Sequence, residues 1–369
     1  MEKKGDVIDI AYKRAVEVLH ECSTKNGFFA SGGARGYNAV WARDSMITSL
    51  GASLIPNHEF EPAFRNSLIT LAKNQSDSGE IPNAVDKFSK RKPHVDFKSI
   101  DSSLWYVIGH YVYAKRFNKK LFRKYKKSIE MAYVWLKYQA SFKSGMLKQL
   151  PTTDWQDAFP HKYGYTINSQ ALYYKVLRLF KKHNQAKKLK LIVNKNKDDK
   201  LWNKEYYYAY RWKNHNKYKE LGDWFDSLGN SLAIVFDLAT ESQAKKIISF
   251  IEKKKINKPF PIRTIYPPIN KKSKYWKDYF LDAHALPNKY SNGGIWGYNG
   301  CFYILSLIKY NKFKQAEIEL RKLAEVNVKA DFPEWTHPIT KKSFGKLQAW
   351  EAGMYILAYE SLKKEKVLI

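Results

Sequence analysis

Apolar residues that recur at helical spacing, many times along the chain, constrain its fold more than any other feature. Ile8, Ala11, Tyr12, Ala15, Leu19 and Cys22 fall at i, i+3, i+4, i+7, i+11 and i+14, one stripe of a helix spanning Asp6–Ser23. The same period predicts helices over Ser45–Leu54, Pro62–Asn74, Ser102–Arg116, Lys120–Phe142, Ser169–Lys182, Asn184–Asn194, Ser227–Leu238, Glu241–Lys253, Asn299–Tyr310, Phe313–Val326 and Gln348–Lys363. Only the aromatic run Tyr206–Trp212 reads as a strand or hairpin. About twelve helices in 369 residues predict an all-α protein.

The links between these helices alternate between short and long. Asn26–Arg43, Gln75–Ile100, Lys143–Asn168, Pro259–Trp296 and Lys329–Leu347 are rich in Gly, Pro, Trp and unpaired acids. Links this long are functional or disordered, and their aromatic content argues against disorder. Paired helices that send such loops to one face would build a bowl floored by them. No low-complexity linker divides the chain, so residues 1–369 are expected to form one domain.

The chain carries 65 Lys and Arg against 35 Asp and Glu, a net charge of +30. A basic chain invites nucleic acid as partner through counterion release. The lysines are spread, however, over Lys119–Lys127, Lys181–Lys200, Lys245–Lys258 and Lys271–Lys277, and no RNP, zinc-finger or P-loop pattern accompanies them. A lysine-decorated surface without a specific nucleic-acid partner is the expectation. No apolar run reaches the ~20 residues of a membrane span. The N-terminus reads as an amphipathic helix rather than a secretory signal, and Cys22 and Cys301 show no CxxC spacing. These features predict a cytoplasmic protein, with neither metal nor cofactor and an oligomeric state left open.

The long links hold the residues with chemical potential. Trp41-Ala-Arg43-Asp44 places a stacking plane, a forked donor and an acceptor within four residues, as a polyhydroxyl ring requires. Asp44 reads equally as a helix N-cap, and so does Asp101, ahead of Trp105. Asp154-Trp155-Gln156-Asp157 sets two acids around a tryptophan. An apolar wall beside a carboxyl raises its pKa, as a general acid needs, and Asp157 is the better candidate, with a turn closed by Asp side chains as the alternative. Glu334, in Phe332-Pro333-Glu334-Trp335, has no helical period to explain it and would supply a second carboxylate, unless it is a solvated loop acid. One acid and one base on facing loops are the apparatus of glycoside hydrolysis. HExxH, GxSxG and GxGxxG patterns do not occur in fitting contexts, and Gly32-Gly33-Ala34-Arg35-Gly36 and Gly293-Gly294 read as turn glycines.

Seven stretches in order, among them YNAVWARDSMITSLG, DWQDAFPHKYGYTINSQALYY, YSNGGIWGYNGCFYILSL and FPEWTHPITKKSFGKLQAWEAGMYILA, resemble the amylo-α-1,6-glucosidase (glycogen debranching) catalytic domains, with glucoamylases and alkaline/neutral invertases as relatives. They run from Tyr37 to Ala358. The resemblance implies an (α/α)6 barrel and inverting exo-acting hydrolysis of short α-glucosides or glucan branches. It implies Asp157 as general acid, Glu334 as general base and Arg43 with Asp44 on the sugar's hydroxyls. Asp101, Asp154, Arg263, Asn292, Trp296, Gln348 and Trp350 would line the pocket, and Trp41, Trp105, Trp155, Gln170 and Trp335 are further substrate-binding candidates. The substrate would be an oligosaccharide or disaccharide. Where relatives often carry Pro and an aromatic after the Asn-Gly-Gly-Ile-Trp run, this chain has Gly297-Tyr298. Accessory N-terminal domains are not expected. A neutral-invertase-like sucrose hydrolase, a non-catalytic carbohydrate-binding protein and a basic nucleic-acid binder are the alternatives.

Overall fold

The computed structural model describes residues 5–33, 37–86, 93–195, 199–214, 218–277 and 286–369. Thirteen α-helices occur among them: α1 (Val7–Cys22), α2 (Ala42–Ala52), α3 (Glu61–Lys73), α4 (Ile100–Arg116), α5 (Lys120–Lys124), α6 (Lys126–Gln139), α7 (Ile167–Leu179), α8 (His183–Lys195), α9 (Ser227–Val235), α10 (Glu241–Lys253), α11 (Gly297–Lys309), α12 (Phe313–Ala330) and α13 (Ala349–Lys363). Each expected helix is present, and α10 has the expected bounds. Lys120–Phe142 is instead two helices, broken at Tyr125, whose φ of −103° and ψ of 18° leave the helical region.

Burial sorts the helices into two kinds. Every residue of α2 and of α9 is buried, and α11 and α13 are enclosed along almost their whole length. By contrast α10 buries Ala244, Ile247, Ile248 and Ile251 on one stripe and leaves Lys245, Lys246 and Lys253 outside. A helix apolar all round belongs inside, and one with a single stripe belongs at the surface. Accordingly α2, α4, α7, α9, α11 and α13 contact one another in a closed cycle, while α1, α3, α6, α8 and α12 pack on its outside. The backbones of α2 and α13 approach most closely at Gly51 and Gly353, where a Cβ on Gly51 would strike the carbonyl of Gly353.

The fold is helix-rich, as expected, and its loops add small antiparallel sheets. β1 (Ser23–Thr24) pairs with β2 (Gly27–Phe28), and β3 (Val40–Trp41), β4 (Ala84–Val85) and β5 (Val95–Asp96) form a second sheet. The largest sheet runs β6 (Tyr165–Thr166), β7 (Tyr208–Asn214), β8 (Tyr218–Asp226) and β9 (Ile265–Tyr266). β10 (Trp335–Thr336) and β11 (Ser343–Phe344) form the last. The aromatic run expected as a strand is β7, shifted by two residues. Its partner β8 escaped notice because its polar Lys219, Glu220 and Asp223 break an apolar alternation. β3, β6 and β8 lead directly into the N-termini of α2, α7 and α9, so the sheets hold loop residues against those helix ends. Of the glycines read as turn residues, Gly33 and Gly293 have φ of +84° and +93°; residues 34–36 lie outside the described residues.

Beneath this loop layer Glu351 of α13 is wholly buried, accepting a hydrogen bond from Asn327 Nδ2 at 3.0 Å. Burial pushes its carboxyl up to about 8, against the hydrogen bonds from Asn327 and the Tyr298 backbone. A raised folded-state pKa means that the stability it contributes is full below the usual value of 4.5 and is lost as pH climbs through about 8. Glu351→Gln, which keeps the shape without the proton, should therefore melt near the parent at pH 5 and several degrees above it at pH 9. Melting curves at the two pH values check this.

Candidate active site

The helix ends and loops line a cavity of about 80 Å³. Trp41, Arg43 and Asp44 reach it from the start of α2, Trp155 and Asp157 from the 151–163 loop, and Trp296 from the residue before α11. Glu334 enters from the turn between α12 and β10, and Gln348 and Trp350 from the start of α13. Tyr37 and Tyr290 complete the functional lining, though neither stood out in the sequence. Both lie in the quoted stretches, but a tyrosine in a loop carries no spacing signal. Several walls are thus helix N-termini, whose dipoles favour electron-rich ligands and carboxylates.

Indole rings frame the cavity. Trp155 and Trp350 meet Trp296 nearly edge-on with ring centroids 5.7 Å apart in each case, and Trp350 stacks on Tyr298 at 4.1 Å. The Trp296 indole donates to the Tyr290 carbonyl at 3.2 Å. Trp155, only 3% exposed, has no partner for its indole N–H among the described residues. Such a donor is costly to leave unmade and suits an acceptor on a ligand.

Three carboxyls share this space. The hydroxyls of Tyr290 and Tyr37 donate to Glu334 Oε1 at 3.1 and 3.4 Å. Burial pushes Glu334 up to about 7, assisted by Asp44 and Asp157 and opposed by the two tyrosine hydrogen bonds. Burial likewise pushes Asp44 to about 6, with Arg43 opposing. Asp157 is raised by burial and by Asp101 and Asp154, again against Arg43. Glu334 and Asp44 are thus held where a proton can be gained or lost near neutrality, and Asp157 is shifted in the same direction, as acid–base chemistry requires. Asp44 is no N-cap: Trp41 occupies the cap position, and Asp44 lies inside the first turn.

Arg43 is 4% exposed, and its Nη1 donates to Asp101 Oδ1 and Oδ2 at 3.0 and 3.2 Å and to Ser99 Oγ at 3.2 Å. Its Nε has no partner among the described residues. Asp101, rather than the sequence neighbour Asp44, therefore orients the guanidinium. Arg43→Lys can retain the ion pair but not the planar fork. A charge-assisted hydrogen bond lost to the substrate would lower kcat/KM roughly 10–100-fold, measured on the best glycoside.

Seven residues expected at the site stand outside the cavity lining. Asp101 sits behind Arg43. Trp105 is 1% exposed and packs on Phe302 and Phe236. Gln170 holds both backbone groups of Leu147, donating at 2.9 Å and accepting at 3.0 Å, and Asn292 holds those of Ile269 in the same way. Arg263 is half-buried and pairs by its backbone with Ile295. Trp335 stacks on Phe344 at 4.3 Å, edge-on to Tyr290. Asp154 is fully buried in an ion pair with Lys162 Nζ at 3.0 Å, and the same ammonium lies 2.6 Å from Asp226 Oδ2. Asp226 also caps α9 through Gly229 N–H at 3.0 Å, so the lysine ties the loop of Asp157 to a helix end. No group of three or more His, Cys, Asp or Glu among the described residues is arranged to hold a metal ion.

Proton transfer at a sugar acetal is the chemistry these carboxyls and indoles have in common, and it places the protein among the glycoside hydrolases. Residues 13–356 match the amylo-alpha-1,6-glucosidase family, and the chain belongs to that family. Similar solved structures include the GH63 mannosylglycerate hydrolase of Thermus thermophilus in complex with glucose, at 14% identity and a TM-score of 0.71, covering 94% of this chain and 99% of that one. A rhamnosidase from Klebsiella oxytoca with rhamnose bound aligns at 15% identity and TM-score 0.65, over 98% of this chain and 65% of the other. A glycosidase in complex with glucose aligns at 14% identity and TM-score 0.66, over 97% of each. No curated protein sequence matches significantly. Among the described residues no helix is long and apolar enough to cross a membrane.

Proposed function

We propose that this protein is an inverting, exo-acting glycosidase of amylo-α-1,6-glucosidase type, cleaving short α-glucosides or glucan branches. The six helices in cyclic contact would be the inner ring of an (α/α)6 barrel forming one catalytic domain. In this reading Asp157 protonates the departing oxygen, Glu334 takes a proton from water on the opposite face, and Arg43, Asp44 and Gln348 hold the sugar's hydroxyls. The observation that supports it most is that Asp157 and Glu334 line one cavity, both raised in pKa. Tyr37 and Tyr290 would keep Glu334 aimed at the water. Cys22 and Cys301 are buried and unlinked, which accords with a reducing cytoplasm.

Inversion needs room for water between the carboxyls, ~6.5–9.5 Å, against ~5–5.5 Å for double displacement. An α-glucoside should therefore release β-glucose first. The test is a panel of isomaltose, maltose, sucrose, trehalose and glycogen, followed by proton NMR of the anomeric signals before mutarotation. Initial α-glucose would demand a nucleophile and remove Glu334 from the base role. Sucrose as sole substrate would favour the invertase-like alternative, and binding without cleavage a carbohydrate-binding protein.

A further inference from the structure

Among the described residues no lysine lines the cavity of Asp157 and Glu334, but two line a different pocket, of about 200 Å³. It lies at the opposite end of the helix ring, where α4 and α7 finish. Ile108, Tyr111 and Val112 of α4, Leu179 of α7 and Ile369 make its apolar walls, and Lys115 and Lys175 stand among them. Asp101, which holds Arg43 at the active site, is near the start of the same α4. At ~1.5 Å per residue, the run from Asp101 to Lys115 puts the two sites about 20 Å apart. We propose that this pocket binds a small amphipathic organic anion, with a carboxylate or phosphate head on Lys115 and Lys175 and a short apolar body against α4 and α7.

The charge around the pocket is one-sided. Lys175 has Lys115, Lys309 and Arg178 as electrostatic neighbours against a single acid, Asp237. That acid is already engaged, its carboxylate lying 2.6 Å from Lys309 Nζ. Helix C-termini attract cations through their free carbonyls. This accounts for two lysines of the region, since Lys309 Nζ donates to the Val235 carbonyl at 2.8 Å and Lys190 Nζ to the Asp237 carbonyl at 2.5 Å. It does not account for Lys115 and Lys175. Neither makes a hydrogen bond or ion pair among the described residues, and the Lys175 ammonium only rests 5.4 Å from the centroid of the Phe236 ring. Burial and the neighbouring cations push Lys175 below the usual lysine range, with Asp237 opposing. A partly buried cation repelled by its neighbours gains from an anion the partner that the protein does not supply.

The walls define the rest of the ligand. Ile108 and Val112 are buried and Tyr111 and Leu179 partly exposed, so the surface beside the two ammonium groups is apolar. An apolar lining with few charged groups selects a body and a head together. At the ~30 Å³ that a water molecule occupies in the liquid, such a space holds roughly six to eight heavy atoms. Inorganic phosphate would leave the walls uncovered, and a nucleic-acid duplex or a long glucan is too large to enter. Lysine ammonium groups are point charges that take carboxylate and phosphate heads alike.

Calorimetric titration of the full chain with octanoate, octyl phosphate, octanol and inorganic phosphate reads both requirements. At least one of the two amphipathic anions should bind about tenfold or more tightly than octanol and than phosphate, and the tighter of the two identifies the head. Lys175→Met keeps the stem and removes the charge, and it should weaken that binding about tenfold, as should Lys115→Gln. Without ligand, Lys175→Met should melt no lower than the parent, because it loses a repelled cation; a lower melting temperature would make Lys175 a structural cation and sink the reading. Arg43→Lys, at the other end of α4, should leave the affinity unchanged. The proposal is overturned if neither anion binds at millimolar concentration, if octanol binds as well as they do, or if both lysine variants bind like the parent. It is equally overturned if Arg43→Lys abolishes binding, which would seat the anion in the catalytic cavity.

Discussion

Asp157→Asn and Glu334→Gln are each expected to lower turnover of the best glycoside by ~10²–10⁴-fold or more, with helical circular dichroism preserved. Each change removes a group that transfers protons and hardly alters volume. The two variants should differ on α-glucosyl fluoride. Fluoride departs with little help from an acid, so Asp157→Asn should recover much of its rate there. Glu334→Gln should not, because water still needs its base. Recovery in the reverse order would exchange the two roles, and near-parental activity in either variant on its natural linkage would remove that residue from the mechanism.

The largest effect on stability is expected from Lys162→Met. Lys162, Asp154 and Asp226 are all 0% exposed, and burial, which lowers the lysine's pKa, is outweighed by the two carboxylates, which raise it. Methionine would leave two buried carboxylates without a cation. Removing one partner of such a group costs about 3–5 kcal/mol, whereas replacing all members can be close to neutral. Urea denaturation should show the loss in Lys162→Met and its partial recovery when Asp154→Asn and Asp226→Asn are added. Below the melting range the single variant should also lose kcat, since the loop carrying Asp157 is tied down through Asp154 and Lys162. A loss below about 1 kcal/mol would show that the triad is not a structural anchor.

Much of this was legible in the chain because helix stripes are local. Ile247, Ile248 and Ile251 announce α10 without reference to anything else. The break at Tyr125 was not, since α6 continues an apolar period across it. At the site, Trp41, Arg43, Asp157 and Glu334 drew attention as polar or aromatic residues that no helical period explains, and the structure brings all four to one cavity. Asp101, Asp154, Gln170 and Asn292 were equally expected at the pocket, yet they hold Arg43, Lys162 and backbone groups. Whether a loop acid faces a cavity or a buried cation is decided by residues distant in the chain. Lys162 stayed hidden for a related reason: among so many surface lysines, nothing local distinguishes one that is buried.

Gly297 and Glu351 limit the order in which this chain can change. A Cβ on Gly297 would collide with the Glu351 carboxyl, so the glycine at the start of α11 is the counterpart of a long side chain on α13. Gly297 cannot gain a side chain while the Glu351 carboxyl keeps its place. Proline or alanine at 297 becomes admissible only after residue 351 has shortened, and a shortened residue 351 with glycine retained leaves a hole beside Asn327. Two positions far apart in sequence are therefore linked, and a relative's α11 that carries a side chain at 297 would need its own α13 with it.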